Sequence, residues 1–430
     1  MTDVAVGATG LGALLVLLAL RMPVGLALMA VGWIGIWYLN GFRAAGSTMV
    51  STAFGLGSNY ALVIIPLFVL MGNVAAAAGM SRSLFDAAQV WIGRWRGGLA
   101  SASVVGCAAF SAVSGSSIAT SITMGRVALP EMLRAGYAPG LATGAIAAGG
   151  TLGILIPPST GFVLYALLTE ESIGQLFMAG VVPGLLMSGL FLIAIRISAR
   201  KMPGQRIPVT TAQALQVSLR ALPLILVVAV SIGGIYLGVF TPAEVAGVGA
   251  FLVTALALAL RQISLRALGP VLRETIQTTA MLFVIVIGAS VFGPFLSLTR
   301  LPGVLVETLT ALPIGAWGTL ALILLCYIVL GTFLEAFAML VITLPIFAPI
   351  VAALGFDMIW FGVLVVIVVE MGMITPPVGL NVFVVKAVAG DVPMATIFRG
   401  VMPFWVAMLV ALLLIVIFPQ IALMVPQSMF

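Results

Sequence analysis

The 430-residue chain has no histidine, two cysteines, two lysines and only 7% charged residues. Each shortage removes a class of function. Without histidine there is no Ser-His or Cys-His pair and no His-ligated zinc site. Cys107 and Cys326 lie in apolar stretches with neither disulfide nor metal-ligand spacing, and read as small packing residues. Lys201 and Lys386 follow no G-x-x-x-x-G-K-[ST] loop, so ATP hydrolysis through a P-loop is excluded. An intramembrane serine enzyme would need Ser114, Ser116 or Ser117 as nucleophile, and no His or nearby Lys is there to activate it. No resident cofactor is expected.

Apolar sequence takes the place of these groups. The chain is 63% hydrophobic with a mean hydropathy of +1.30, far outside soluble composition. An all-α polytopic membrane protein follows. Runs such as Ala61 to Met80, Phe177 to Ile197, Val245 to Leu260 and Val401 to Pro419 approach the roughly 20 residues a spanning helix needs. The first run, Val4 to Leu20, has no basic residue before it and no cleavage site after it, and is read as a retained span. The pI near 9.8 comes from basic residues scattered singly between apolar runs, a topology signal in a lipid bilayer protein rather than a nucleic-acid one.

An outside amino terminus puts Arg21, the group Arg82, Arg94 and Arg96, and the group Arg196, Arg200, Lys201 and Arg206 inside. Residues 98–129 are basic at both flanks and are expected to form a re-entrant hairpin from the cytoplasm. Residues 138–168 cross outward through Pro157 and Pro158. In the second half, residues 317–351 are expected to form a hairpin dipping in from outside, and residues 359–385 to cross inward through Pro376 and Pro377. Of 18 basic residues, 16 then lie inside, only Arg43 and Arg300 outside. Residues 1–206 and 207–430 thus read as two inverted repeats, each of five spans, one of them discontinuous, plus one hairpin. The letters agree. Cys107 and Cys326, "MPVGLA" at Met22 and "TPAEVA" at Thr241, and the two proline pairs all align at an offset of 219. Paired interruptions in inverted halves are the best sequence pointer to a transport site.

Two consecutive prolines leave several carbonyls without a helical partner, and in lipid those oxygens must be satisfied. A sodium ion accepts such oxygens. One site would use Gly153, Ile156 and Pro157 with Ser111 and Ser114 of the first hairpin tip, "FSAVSGSSIATS". The other would use Gly372, Thr375 and Val378 with Gly331 and Thr332 of the second tip, "VLGTFLEAFA". Glycine, serine and threonine also pack membrane helices together, so either stretch alone is explained as well by packing. Helix halves starting near Ser159 and Val378 would aim their N–H groups at an anion, with Ser116, Ser117, Thr160 and Asn381 facing the substrate. Glu335 and Glu370 are the acids expected inside the membrane, either as functional groups or as shape-holding hydrogen-bond partners.

Over essentially its whole length the chain resembles the large membrane subunit of tripartite ATP-independent periplasmic (TRAP) transporters. The resemblance rests on "IPLFVLMGN" at Ile65, "SGSSIATSITMG" at Ser114, "GILIPPS" at Gly153, "GVFTPAEVAGVGA" at Gly238, "LEAFAMLVITLPIFAPI" at Leu334 and "GMITPPVGLNVFV" at Gly372. It implies an elevator-type secondary transporter of the ion transporter superfamily in the bacterial inner membrane, with sodium as the coupling ion and the only metal. It also implies a periplasmic substrate-binding protein, a small four-helix membrane (Q) subunit expected as a separate chain, and an organic acid substrate such as a C4-dicarboxylate, a sialic acid or another sugar acid. The competing expectations are a stand-alone sodium- or proton-coupled anion symporter of the same architecture and a passive channel.

Overall fold

The computed structural model describes residues 2–200, 210–310 and 313–429. Lys201 and Arg206, counted above among the inside charges, and the boundary between the two halves lie outside the described residues.

Three helices open the chain: α1 (Asp3–Ala19), α2 (Val24–Asn40) and α3 (Phe42–Gly57). A 3₁₀ turn, Tyr60–Val63, leads into α4 (Ile64–Ala77). The helix α5 (Met80–Ile92) buries Met80, Leu84, Phe85 and Ala88, the spacing of one helical face. Then α6 (Gly98–Ser114) and α7 (Ser117–Arg134) form a helical hairpin. Its tip is tight because Gly115 takes a left-handed φ of 58°, which a residue without Cβ adopts freely. The helix α8 (Pro139–Thr151) ends in a 3₁₀ turn, Leu152–Ile154, and the chain resumes after Pro157 and Pro158 as α9 (Thr160–Thr169).

The long α10 (Ile173–Ser198) closes this half. The second half begins with α11 (Thr211–Tyr236) and α12 (Pro242–Ala259), each started by a capping box, Thr210 with Gln213 and Thr241 with Glu244. After α13 (Leu265–Leu298) and α14 (Leu301–Thr310) come the second hairpin, α15 (Gly315–Gly331) and α16 (Ala336–Ala353), and a second interrupted pair, α17 (Met358–Met373) and α18 (Leu380–Ala389). The chain finishes with α19 (Met394–Ile417) and α20 (Gln420–Gln427). Both proline pairs carry a cis peptide bond.

Seven described helical stretches are long and apolar enough to cross a membrane. One is α16, expected above as only an arm of a hairpin; its 18 residues are as apolar as the spans, and composition alone cannot separate the two. The helices α3 and α14 were not anticipated. The helix α13 starts at Leu265, with Ser264 accepting from the Ala267 N–H as its cap.

The centre is occupied by the broken helices. Every residue of α17 from Ile359 to Met373 is buried, as is every residue of α8 from Leu141 to Thr151. Large apolar side chains cover the periphery instead: Phe54, Phe251 and Leu265 are each more than 70% exposed, an arrangement stable only where the surrounding solvent is apolar. Each hairpin uses its two arms differently. The first arms, α6 and α15, pack on the first segments of the nearby broken helices, α8 and α17. The second arms touch both broken helices, α7 lying against α8 and α18 and α16 against α17 and α9.

Lipid supplies no hydrophobic drive between helices, so close approach does the work. The helices α2 and α13 meet through Gly25 and Gly288: a Cβ on Gly25 would lie 2.5 Å from the Val284 carbonyl oxygen. The helices α8 and α19 meet through Gly144 and Gly400, where a Cβ on Gly144 would overlap the Gly400 carbonyl. Charge contributes little, the one ion pair among the described residues being Arg82 with Glu131 at 3.7 Å. Gly144→Ala is expected to destabilise the protein by about 1–3 kcal/mol through overpacking. Gly12→Ala, with nothing within 4 Å of the new methyl, is expected to cause no loss. Thermal unfolding of the two variants in detergent checks the contrast.

Candidate functional site

Each hairpin tip abuts a helix break. At the first, α6 ends at Ser114, and Ser116 caps α7 by accepting from the Ala119 N–H at 3.4 Å. The break comes so close that a Cβ on Gly153 would lie 2.5 Å from the Ser117 nitrogen. The resumed helix α9 then fastens onto the tip: the Thr160 hydroxyl donates to the Gly115 carbonyl at 2.6 Å and the Thr160 N–H to the same oxygen at 3.3 Å. Ser159 caps α9, accepting from the Phe162 N–H at 3.2 Å while its hydroxyl donates to the Ile154 carbonyl.

At the second junction a Cβ on Gly372 would lie 2.6 Å from the Cα of Gly331, so the two backbones touch. The Gly379 N–H donates to the Thr332 carbonyl at 3.3 Å, tying break to tip as Thr160 does at the first. The Thr375 hydroxyl donates to the Met371 carbonyl at 2.6 Å and accepts from the Trp405 indole N–H at 2.9 Å. Glu335 caps α16, accepting from the Ala338 N–H at 3.2 Å. Ser116 and Glu335, 219 residues apart, thus do the same job at the two tips.

Among the described residues, the carbonyl oxygens of Gly153, Ile156, Pro157, Thr375 and Val378 accept no hydrogen bond. These are hard oxygen donors of the kind a sodium ion takes. Gly372 differs, its carbonyl accepting from the Thr375 N–H at 2.9 Å. The Ser111 hydroxyl turns back onto its own helix, donating to the Cys107 carbonyl at 2.7 Å, and Ser114 pairs with Thr120 across the tip at 2.7 Å. The Thr332 hydroxyl likewise donates to the Val329 carbonyl at 2.8 Å. All three hydroxyl oxygens keep acceptor capacity.

A cavity of about 760 Å³ opens beside the first tip. Ser116 and Thr160, two of the four residues expected to face substrate, line it together with Ser114 and Glu335. Ser117 and Asn381 do not. They lie behind the tip, 3% and 0% exposed, where the Ser117 hydroxyl donates to Glu370 Oε1 and the Asn381 amide to Glu370 Oε2 at 3.4 Å. Spacing placed them near the break, but a buried carboxylate has first claim on the nearest donors. Glu370 thereby joins α17 to α7. Three cavity residues went unread in the sequence: Asn73, Glu274 and Thr278. Asn73 was legible as the polar residue inside the apolar run Ala61 to Met80. Glu274, within α13, was not among the acids expected inside the membrane. No arginine or lysine is among the described residues lining the cavity.

The family model for "Tripartite ATP-independent periplasmic transporter, DctM component" matches residues 11–421. The chain belongs to this family. It is 39% identical over 376 residues to the C4-dicarboxylate TRAP transporter large permease protein DctM of Pseudomonas aeruginosa, covering 87% of this chain and 88% of that one. To the sialic acid TRAP transporter large permease protein SiaM of Vibrio cholerae it is 32% identical over 415 residues, covering 96% of each. Its fold resembles that of the Alcanivorax borkumensis YdaH transporter, with a TM-score of 0.57 at 15% identity over 90% of this chain and 88% of that one. The chain is therefore a multi-pass membrane component of a tripartite transporter.

The link through Glu370 generates a stability prediction for this TRAP permease. Glu370→Ala leaves the buried Ser117 hydroxyl and Asn381 amide without their acceptor and is expected to destabilise by about 1–3 kcal/mol. Glu370→Gln, which keeps an acceptor oxygen, is expected to recover much of that loss. Denaturation midpoints of the two variants against the parent protein decide it.

Proposed function

We propose that the chain is the carrier subunit of a sodium-coupled secondary transporter, taking up an organic acid anion handed over by a periplasmic binding protein. The carrying observation is the repeated junction of tip and break, with Gly153 against Ser117 in one half and Gly372 against Gly331 in the other. Gly153 and Gly372 are 219 residues apart, the offset of the proline pairs and of the two caps. This recurrence supports reading residues 1–206 and 207–430 as inverted repeats, each with one re-entrant hairpin, and the distribution of basic residues supports a periplasmic amino terminus.

In this reading the free carbonyls of each break, with Ser114 at the first and Thr375 at the second, hold the coupling ions. Unwound backbone and helix ends are how transporters of inverted-repeat design bind sodium. The amino-terminal end of α9, whose Thr160 lines the cavity, faces an anion that no basic side chain of the cavity meets, and Ser116 and Thr160 hydrogen-bond its polar groups. A domain containing both hairpins and both broken helices moves against the scaffold of α2, α4, α12 and α13, as an elevator. The class of substrate follows the relatives: dicarboxylates, sialic acids or other sugar acids. The partners are the binding protein and a small four-helix membrane subunit, in the bacterial inner membrane.

The energetics suffice without ATP. If sodium ions exceed the substrate's negative charges by one, each cycle moves one positive charge inward, gaining roughly 2.3 kcal/mol per 100 mV, about fiftyfold accumulation.

The test is uptake into proteoliposomes containing the chain and its small subunit, with binding protein and labelled C4-dicarboxylate or sialic acid outside. Uptake is expected to require an inward sodium gradient that potassium cannot replace. Ser114→Ala and Thr375→Ala are expected to raise the sodium concentration for half-maximal uptake about five- to tenfold, the cost of one oxygen ligand. Uptake indifferent to sodium would remove the ion sites from the breaks. Uptake by the chain without binding protein would favour the stand-alone symporter.

A further inference from the structure

A second large cavity, of about 810 Å³, lies away from both junctions, between the turn joining α5 to α6 and the carboxyl-terminal end of α10. Its chemistry divides in two. Arg96 from the turn, Arg196 from the last turn of α10 and Arg200 just beyond its end supply three guanidinium groups, all on exposed side chains, with no acidic residue among the described lining. Leu192, Ile193 and Ile197 supply an apolar wall, and Trp95, 54% exposed, stands beside Arg96.

Three like charges around one cavity repel each other unless an anion lies between them. Arginine is also the side chain that grips phosphate oxygens with two parallel N–H groups. The apolar wall excludes a simple electrostatic patch, because Leu192, Ile193 and Ile197 continue up the membrane-spanning helix α10 from the level of the arginines. A ligand satisfying both parts has a phosphate head and a hydrocarbon tail. Tryptophan and arginine at a helix end mark the lipid headgroup level, and basic pockets between spanning helices bind anionic headgroups. The charges of this region also fall on the side where the distribution of arginine and lysine puts the cytoplasm, whose leaflet carries anionic lipid.

We propose that this cavity is a binding site for an anionic phospholipid, its phosphodiester held by Arg96, Arg196 and Arg200 and one acyl chain lying along Leu192, Ile193 and Ile197. The bound lipid bridges the root of the first hairpin and α10, two segments that also pack on each other deeper in the fold. The site stands independently of the transport reading.

Native mass spectrometry of the full-length chain, delipidated in detergent and titrated with phosphatidylglycerol, tests it. The parent protein is expected to retain one phosphatidylglycerol in preference to phosphatidylcholine of the same chain length. Each arginine lost is expected to weaken binding about fivefold, and the triple variant Arg96→Gln, Arg196→Gln, Arg200→Gln about a hundredfold. Arg196→Gln alone keeps the test valid if the triple variant does not fold, and Arg43→Gln, far along the chain on α3, is the control expected to change nothing. Equal retention of phosphatidylcholine, or undiminished phosphatidylglycerol binding by the triple and single variants, would overturn the proposal. Displacement of the lipid by an equal concentration of inorganic phosphate would assign the arginines to a free anion and overturn it too.

Discussion

Backbone carbonyls at membrane depth have no water to bond to, and this constraint organises the centre of the molecule. Two helices are broken by consecutive prolines, and each break is pressed against the tip of a hairpin that has unpaired backbone of its own. The breaks satisfy part of the tips' own demand: Thr160 donates twice to the Gly115 carbonyl, and Gly379 donates to the Thr332 carbonyl. What stays open includes the oxygens at Gly153, Ile156, Pro157, Thr375 and Val378, and the carbonyls of Leu155, Pro158, Met373 and Ile374 beside them also accept no hydrogen bond among the described residues. A fold that satisfied every one of these with its own donors would be a more stable bundle with nothing to bind. The unfinished satisfaction is the part of the architecture that the proposed ion coupling uses.

The two junctions differ in their surroundings. Pro157 and Pro158 are buried while Pro376 and Pro377 are exposed, although the local chain path is closely similar. Packing around the first break is also finer-grained, with Gly180 and Gly184 of α10 admitting Leu155, Phe162 and Ile156. Between the junctions runs the Ser117–Glu370–Asn381 contact, which fastens the first tip to the helix leading into the second break. A closed junction, an open junction and a polar link between them is the geometry a carrier needs if its ends are to be exposed in turn. In the proposed cycle the link makes the two halves move as one body.

Much of this was legible in the sequence because membrane constraints are strict. The paired prolines fall at the two helix breaks, and the segments expected as hairpins, residues 98–129 and 317–351, overlap the helix pairs α6–α7 and α15–α16, whose re-entrant course stays part of the proposal. Glu370 was expected either as a functional group or as a shape-holding hydrogen-bond partner, and its observed partners, Ser117 and Asn381, were expected to face substrate. Ser117 and Asn381 look the same in sequence as Ser116 and Thr160, small polar residues beside a break. Only the rotation of α7 and the crossing of α18 decide which of them meets the cavity and which meets the carboxylate. The helices α3 and α14 were missed for a different reason. With one buried residue each, Ala45 and Leu301, they carry no strong inward face, and their sequences read as connections between spans.

Economy of charge connects the remaining features. A buried charge in a bilayer costs several kcal/mol unless paired or put to use, and most of the described basic residues lie in turns or near helix ends, with Arg126, Arg220 and Arg273 in helix interiors. The cavity beside the first tip contains acids but no base, so an anion entering it must be met by N–H groups, hydroxyls and co-transported cations. An arginine there would bind a carboxylate tightly in every conformation, and a ligand bound equally well at both ends of its path gains nothing from the ion gradient. In the proposed sodium-coupled cycle, leaving the positive charge to the mobile ion makes affinity depend on ion occupancy. The same economy explains why the three arginines around the outer cavity stand out: placed at the headgroup level, they meet negative charge the membrane already supplies.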